Sequence, residues 1–419
     1  MRLLVVEPNY SGGTETVSIQ LVRQFTSMLE CVVWALPPYR MRYYQDIIPS
    51  SDRLIYEPLH WGQDQNSIFY RRVDGGLRRL EGLLPVGSRR LHNVLSGLRL
   101  QLADARLRYL TKKHRLTHYF TTWIFNQPVP KVNNPVGAMV MDLNWRHFPE
   151  NFPEASAAQL DRSFGQWLHK ADVLFPISEF TLSEIRDAFP WFKGNVLVVP
   201  HGSRGPEVGR QMPVGETQIG GGGARPFFYY PAGVLVHKNH LLLLEAATIL
   251  FQRGYDFDLL LSGAGTEHFL EEREHPNPAV ERCRKFCAKN AGTISRRIKA
   301  LGVLDRQEVD GLYRRCLSVV LPSRFEGFGL PLLEAIEHGT RVICTDIPPF
   351  IEQIKRFDYA DMVKVCPANE VDALVAEMEH ALNGRGNPEL PAEVIAAKLA
   401  RWTWKDVAVA YVESLQRLR

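Results

Sequence analysis

Two stretches of the chain repeat one order of apolar and polar positions. The first, RLLVVEPNYSGGTETVSIQLVRQF (2–25), is an apolar run, a glycine loop at Ser11-Gly12-Gly13, and then apolar residues at helical spacing. The second, PFFYYPAGVLVHKNHLLLLEAATIL (226–250), is an aromatic run, a loop with Gly233 and Lys238, and a leucine-rich helical pattern. Each predicts the strand–loop–helix opening of a parallel α/β domain. Short apolar runs follow in both halves: 117–123, 137–142, 173–178 and 196–202 in the first, and 257–265, 318–323, 341–346 and 362–367 in the second. Each predicts a strand, with helices between them. The Gly-rich, polar stretch EVGRQMPVGETQIGGGGARP (207–226) reads as a linker. RWTWKDVAVAYVESLQRL at the end predicts a helix with no strand after it.

The fold class expected is therefore α/β, with two doubly wound, Rossmann-like domains facing a central cleft. The boundaries expected are 1–206 for the first domain, joined by the terminal helix 403–419 crossing back to it, and 227–402 for the second. In such sheets ligands bind beyond the carboxyl ends of the strands.

Composition narrows the class. A chain of 419 residues exceeds what one core usually serves. No apolar run approaches the ~20 residues of a spanning helix. MRLLVVEPNYSGG reads as a first strand, because a signal peptide needs a longer apolar core and a small-residue cleavage site. Six scattered cysteines predict reduced thiols and a cytoplasmic setting. Cys283 and Cys287 lack a second pair at zinc-ligand spacing. Net charge is only +4, yet 71–115 holds twelve Lys or Arg against three acids, interleaved with leucines. That segment predicts either basic amphipathic helices for peripheral contact with an anionic membrane or a solvated helix pair. No nucleic-acid partner is expected.

The chemistry concentrates in RFEGFGLPLLEA (324–335). Pro331 suits a first helical turn, and Gly327 and Gly329 permit close backbone approach to a ligand. The N–H groups of Gly329, Leu330 and the first turn, with the helix dipole, make an anion site suited to a diphosphate. Glu334, one turn in, suits a ribose diol, and Glu326 suits sugar hydroxyls. The plainer alternative is a capped helix with Glu334 in a surface ion pair. Lys238-Asn239 falls where another helix begins, which would bring a cation and a helix N-terminus together. In DLNWRHFPENF, Asp142 is placed to orient an acceptor hydroxyl, with Trp145 and Phe148 either stacking on a sugar or lying in the core. Asp256-Phe-Asp258 imitates a metal-binding pair but precedes its strand, away from the expected cleft, so no metal is expected.

PSRFEGFGLPLLEA, with its Glu-x7-Glu spacing, closely resembles the signature of retaining glycosyltransferases of the family 4 type, which have the GT-B fold. YPAGVLVHKNH, LFPISEFTLSEI and SGGTETVSIQL resemble further segments of that family. DLNWRHFPENF resembles one common in mannosyl- and rhamnosyl-transferring members. The resemblance implies that Glu334 binds the ribose, and that Glu326 with Gly327, Phe328 and Gly329 binds the donor sugar. Lys238 would neutralise the departing diphosphate, and Gly12 and Gly13 would lie beside the donor across the cleft. It departs from the family in two places. Met141 replaces a histidine that contacts the donor sugar, and Val234 or Leu235 stands where an arginine precedes the lysine. His237 or His240 is a candidate helper for that missing charge, and the plainer reading of each is a packing or surface residue.

The expected function is metal-independent, retaining transfer of a hexose from a nucleoside-diphosphate sugar, with no cofactor. Mannose or rhamnose is favoured, passed to a glycan or lipid-linked glycan in cell-surface polysaccharide biosynthesis, in the cytoplasm or at the inner membrane face. The alternatives are a nucleotide-sugar-binding pseudoenzyme of the same fold, and a nucleotide-sugar epimerase or glycosyl phosphorylase.

Overall fold

Buried parallel strands read as continuous apolar runs, because both faces of the sheet are covered. In the first sheet these are β1 (Arg2–Val6), β2 (Cys31–Leu36), β3 (Leu54–Pro58), β4 (His118–Thr121), β5 (Val136–Val140) and β6 (Val173–Pro176). The second sheet contains β7 (Phe227–Pro231), β8 (Asp258–Ser262), β9 (Ile298–Ala300), β10 (Ser318–Leu321), β11 (Val342–Thr345) and β12 (Val363–Cys366). All come from a computed structural model that describes residues 1–7, 13–59, 89–125, 127–152, 155–205, 225–294, 296–384 and 390–418, with side chains from 101 onward in the third span.

The strand orders are β3-β2-β1-β4-β5-β6 and β12-β11-β10-β7-β8-β9, every pairing parallel. Counted within its own sheet, each is the doubly wound order 3-2-1-4-5-6. The order reverses between β1 and β4, and again between β7 and β10. In doubly wound sheets the loops leaving such paired central strands diverge and leave room between them.

Backbone contacts divide the chain into two units. One is Met1–Asp142, Glu154–His201 and Trp404–Arg419, and the other is Leu143–Pro153 with Gly202–Thr403. The segment Leu143–Pro153 thus falls in the second unit, although its place in the sequence had put it in the first domain. The linker expected at 207–226 lies outside the described residues except for Arg225 and Pro226.

In the first unit the helix Trp404–Gln416 packs against the helix Gly13–Met28. Tyr411 meets Phe25, Phe120 and Phe175 edge-on at 6.4, 5.1 and 4.6 Å. Such pairs add about 1 kcal/mol each beyond their burial. A Cβ on Gly137 of β5 would lie 2.7 Å from Leu415 and 2.9 Å from Phe175, so this glycine lets the last helix dock.

Three strands, β2, β3 and β9, were not anticipated. The strand expected over 196–202 is instead a single bridge, Leu174↔Val196, followed by extended chain along β6. Of the basic region, 71–88 lies outside the described residues and Arg89–His114 is one helix. On it Arg106, Lys113 and His114 each reach the buried Glu57 carboxylate at 2.7 Å. Part of the charge excess is therefore committed to tertiary pairing. No described helix is long and apolar enough to cross a membrane.

Candidate donor-binding site

β7 and β10 are hydrogen-bonded neighbours in register Phe228↔Ser318 and Tyr229↔Val319. The loops leaving their carboxyl ends carry Lys238 and Glu326, so the topology brings together residues 88 apart in sequence. Lys238 Nζ donates to both Glu326 oxygens, at 2.6 and 2.7 Å. Ser323 Oγ donates to Glu326 Oε1 at 2.8 Å. The Tyr230 hydroxyl donates to the Lys238 carbonyl at 2.7 Å, fixing the turn from below.

Lys238 closes a short 3-10 turn, Val236–Lys238, and Asn239 follows in the left-handed region with φ 54° and ψ 41°. The helix His240–Gln252 starts immediately afterwards. A lysine there sits at the positive end of the helix dipole, which is locally unfavourable. Glu326 relieves it in the protein alone. Asn239 makes no side-chain cap, and its buried Nδ2 has no acceptor among the described residues.

The second loop enters the helix Leu330–Glu337 through Gly329, at φ 88° and ψ 59°. A Cβ on Gly329 would stand 2.3 Å from the Phe350 ring, so glycine is required by backbone and by neighbour alike. Gly327 and Phe328 are buried with Glu326. Glu334 is half-buried one turn into the helix. Its Oε1 accepts from Arg306 Nη1 at 2.8 Å and its Oε2 from the Tyr313 hydroxyl at 3.0 Å. Arg306 Nε also lies 2.9 Å from Asp310. Each carboxylate oxygen has a second lone pair, so this bracing orients Glu334 without using up its accepting capacity.

His237 and His240 do not supply the missing charge. Burial drives His237 down to about 2, with Lys238 and Arg324 adding to the effect, and burial drives His240 down to about 3. Both rings are neutral. His240 Nε2 lies 3.1 Å from the Ala232 carbonyl. His237 instead anchors Leu143–Pro153: Asn144 and Asn151 each place an amide nitrogen 3.1 Å from its Nδ1. Asn151 also accepts from the Val236 N–H at 3.1 Å. In the same segment Trp145 is buried, which removes it from the residues able to stack on a sugar. Phe148 lies under the Arg324 guanidinium, whose carbon is 4.9 Å from the ring centroid. Arg324 in turn donates to the Val236 carbonyl at 3.1 Å.

Gly13 and Asp142 fall in the first unit. Gly13 opens the helix Gly13–Met28, and Gly12 lies outside the described residues. Asp142 is partly exposed just beyond β5, next to the buried Met141, whose carbonyl accepts from Thr181. Asp256 and Asp258 pair with Arg225, Arg297 and Lys299. Among the described residues no three His, Cys, Asp or Glu side chains gather as a metal site would need. Motif reading did not find Arg306 or Tyr313, which reach the site only through folding, and gave no role to Arg324 and Asn151, which lie inside the segments it singled out.

Two doubly wound units, each built on a six-stranded parallel sheet, give a GT-B architecture, with Lys238 and Glu326 paired beyond the central strands of the second. Comparison with known proteins agrees. The family Glycosyl transferases group 1 matches residues 220–399. O-antigen chain mannosyltransferase B of Escherichia coli is 24% identical over 277 residues, covering 64% of this chain and 67% of that protein. The serotype-specific mannosyltransferase WbdA of Escherichia coli is 25% identical over 253 residues, 55% of this chain but only 29% of its own length. Among solved structures, Anabaena Alr3699/HepE in complex with UDP and glucose superposes with a TM-score of 0.67 at 14% identity, covering 100% of both chains. That likeness shows the GT-B fold. The family match and the named relatives support a glycosyltransferase.

Proposed function

We propose that this protein is a retaining hexosyltransferase of the family 4 type, moving mannose or a rhamnose-type sugar from a nucleoside diphosphate to a glycan or lipid-linked glycan. The observation that carries this reading is Lys238 at the positive end of the helix His240–Gln252, where among the described residues Glu326 alone pairs with it. A cation beside a helix N-terminus needs an anion, and a diphosphate supplies one. In this reading Lys238 stabilises the negative charge that develops as the diphosphate leaves, without a metal. Glu334, braced by Arg306 and Tyr313, takes the ribose hydroxyls. Glu326 and the Gly327–Gly329 backbone take the hexose, with the Gly329 N–H turned toward its phosphate. Asn239 and Leu330 line the phosphates, while the family resemblance gives Gly13 a role at the donor and Asp142 one in orienting the acceptor hydroxyl.

Retention rests on the family resemblance. It fits same-face displacement: the bond from C1 to the diphosphate oxygen breaks, and the acceptor oxygen bonds C1. The acceptor proton passes to the departing phosphate. Mannose and a role in cell-surface polysaccharide are favoured because relatives are named as mannosyltransferases of O-antigen chains. The testing experiment is a panel of GDP-, UDP- and dTDP-sugars with nucleotide release as readout. Acceptor-stimulated release from one sugar donor is expected. Nucleotide binding with no donor turned over would leave a binding protein of the same fold.

A lipid-linked acceptor fits the exposed Arg108 and Lys112 on the described part of the helix Arg89–His114. Co-flotation with anionic liposomes that weakens with salt is the expected result. No flotation at low salt removes the membrane contact.

A further inference from the structure

Gln353, on the helix Pro348–Phe357, is 1% exposed and lies behind the Gly-Phe-Gly loop. Its Nε2 donates to the carbonyls of Phe328 at 2.5 Å and Gly329 at 3.1 Å. Its Oε1 accepts from the Tyr359 hydroxyl at 2.8 Å. Backbone carbonyls can only accept, so the two bonds to them settle which end of the amide faces the loop. Tyr359 is fully buried, which pushes its phenol well above the usual range and keeps it a donor.

In a trans peptide the C=O and the next N–H point in opposite directions. Holding the carbonyls of Phe328 and Gly329 toward Gln353 therefore turns the N–H groups of Gly329 and Leu330 away from it. Neither N–H has an acceptor among the described residues. The Phe350 ring closes the inner side of Gly329 and leaves the loop little other conformational room.

We propose that Gln353, held in turn by Tyr359, is a positioning residue that aims the Gly329 and Leu330 N–H groups at the donor diphosphate. The inference rests on the donor-site reading above. It adds that the anion site is set by a buried amide from the following helix, on top of the glycine motif itself.

The test compares wild type with Gln353→Met in the full chain, using calorimetry with the nucleoside diphosphate that wild type binds and with its free nucleoside. Loss of two aimed donors to a charged group should weaken diphosphate binding about tenfold or more. Affinity for the free nucleoside should not change, a selectivity that a merely structural role would not produce. Equal losses for both ligands, or no loss for either in a folded variant, overturn the proposal. Should Gln353→Met fail to fold, Tyr359→Phe decides. It keeps the amide but frees it, so a smaller loss confined to the diphosphate is expected, and unchanged selectivity overturns the proposal. If wild type binds no nucleoside diphosphate, or Glu334→Ala binds it as wild type does, the donor-site reading itself falls.

Discussion

The two central strands, β1 and β7, occupy the same position in sheets of the same order, yet the chain leaving one places a buried acid and the chain leaving the other a paired base. Glu7 follows β1 and is buried, accepting from Thr122 at 3.0 Å, with Ser18 hydrogen-bonded to Thr122 at 3.2 Å. Burial pushes its carboxyl up to about 8, so it is largely neutral at physiological pH. Lys238 follows β7 and is held as a cation against Glu326. In the first unit a charge is suppressed by desolvation, while in the second two opposite charges are kept beside a helix N-terminus. The doubly wound sheet supplies a platform at its strand ends, and the residues placed there decide what the platform can bind.

Three substitutions test that contrast. Lys238→Ala should have the largest effect. It removes the cation and leaves Glu326 with the Ser323 hydroxyl. Turnover at saturating donor should fall on the order of 100-fold, a typical cost for losing one stabiliser of developing charge. A loss of only a few-fold would make the Lys238–Glu326 pair structural, and the two strand ends alike.

Glu334→Ala should act on binding, weakening nucleotide affinity about tenfold in calorimetry while turnover at saturation changes less. It also leaves Arg306 paired only with Asp310 among the described carboxylates. Unchanged affinity would separate Glu334 from the ribose.

Glu7→Gln should act on stability alone. Between the ordinary value of 4.5 and about 8, the folded protein keeps a proton at Glu7 that the unfolded chain has lost. Stability from this group is full below 4.5 and is lost as pH rises through about 8. Melting temperature of wild type should therefore fall across that window relative to Glu7→Gln, with donor affinity equal in both. Parallel melting curves would show that the carboxyl ionises normally.

Much of the architecture was legible because its signals are local. RLLVVE and PFFYYP are buried strands written as apolar runs, and Gly329 with Pro331 marks a loop entering a helix. CVVWAL, the wholly buried β2, was missed because a short apolar run between helices reads equally well as part of a helix. β9, three residues with a lysine at its centre, carries almost no pattern. The placement of Leu143–Pro153 depends on Asn144 and Asn151 meeting His237, more than 80 residues away. The sequence offered His237 or His240 as a helper for the missing charge, with packing or a surface position as the plainer reading, and burial makes both neutral.

By itself, the sequence determined the two α/β repeats, the glycine turn before Pro331, and the residue types suited to a diphosphate and a sugar. These are set by periodicity and by backbone freedom within a few residues. Tertiary structure alone decided that Lys238 grips Glu326, that Arg306 and Tyr313 brace Glu334, and that Gln353 holds the Gly-Phe-Gly carbonyls. Those contacts join distant parts of the chain. Their geometry follows from strand order and burial, which no local pattern of residues encodes.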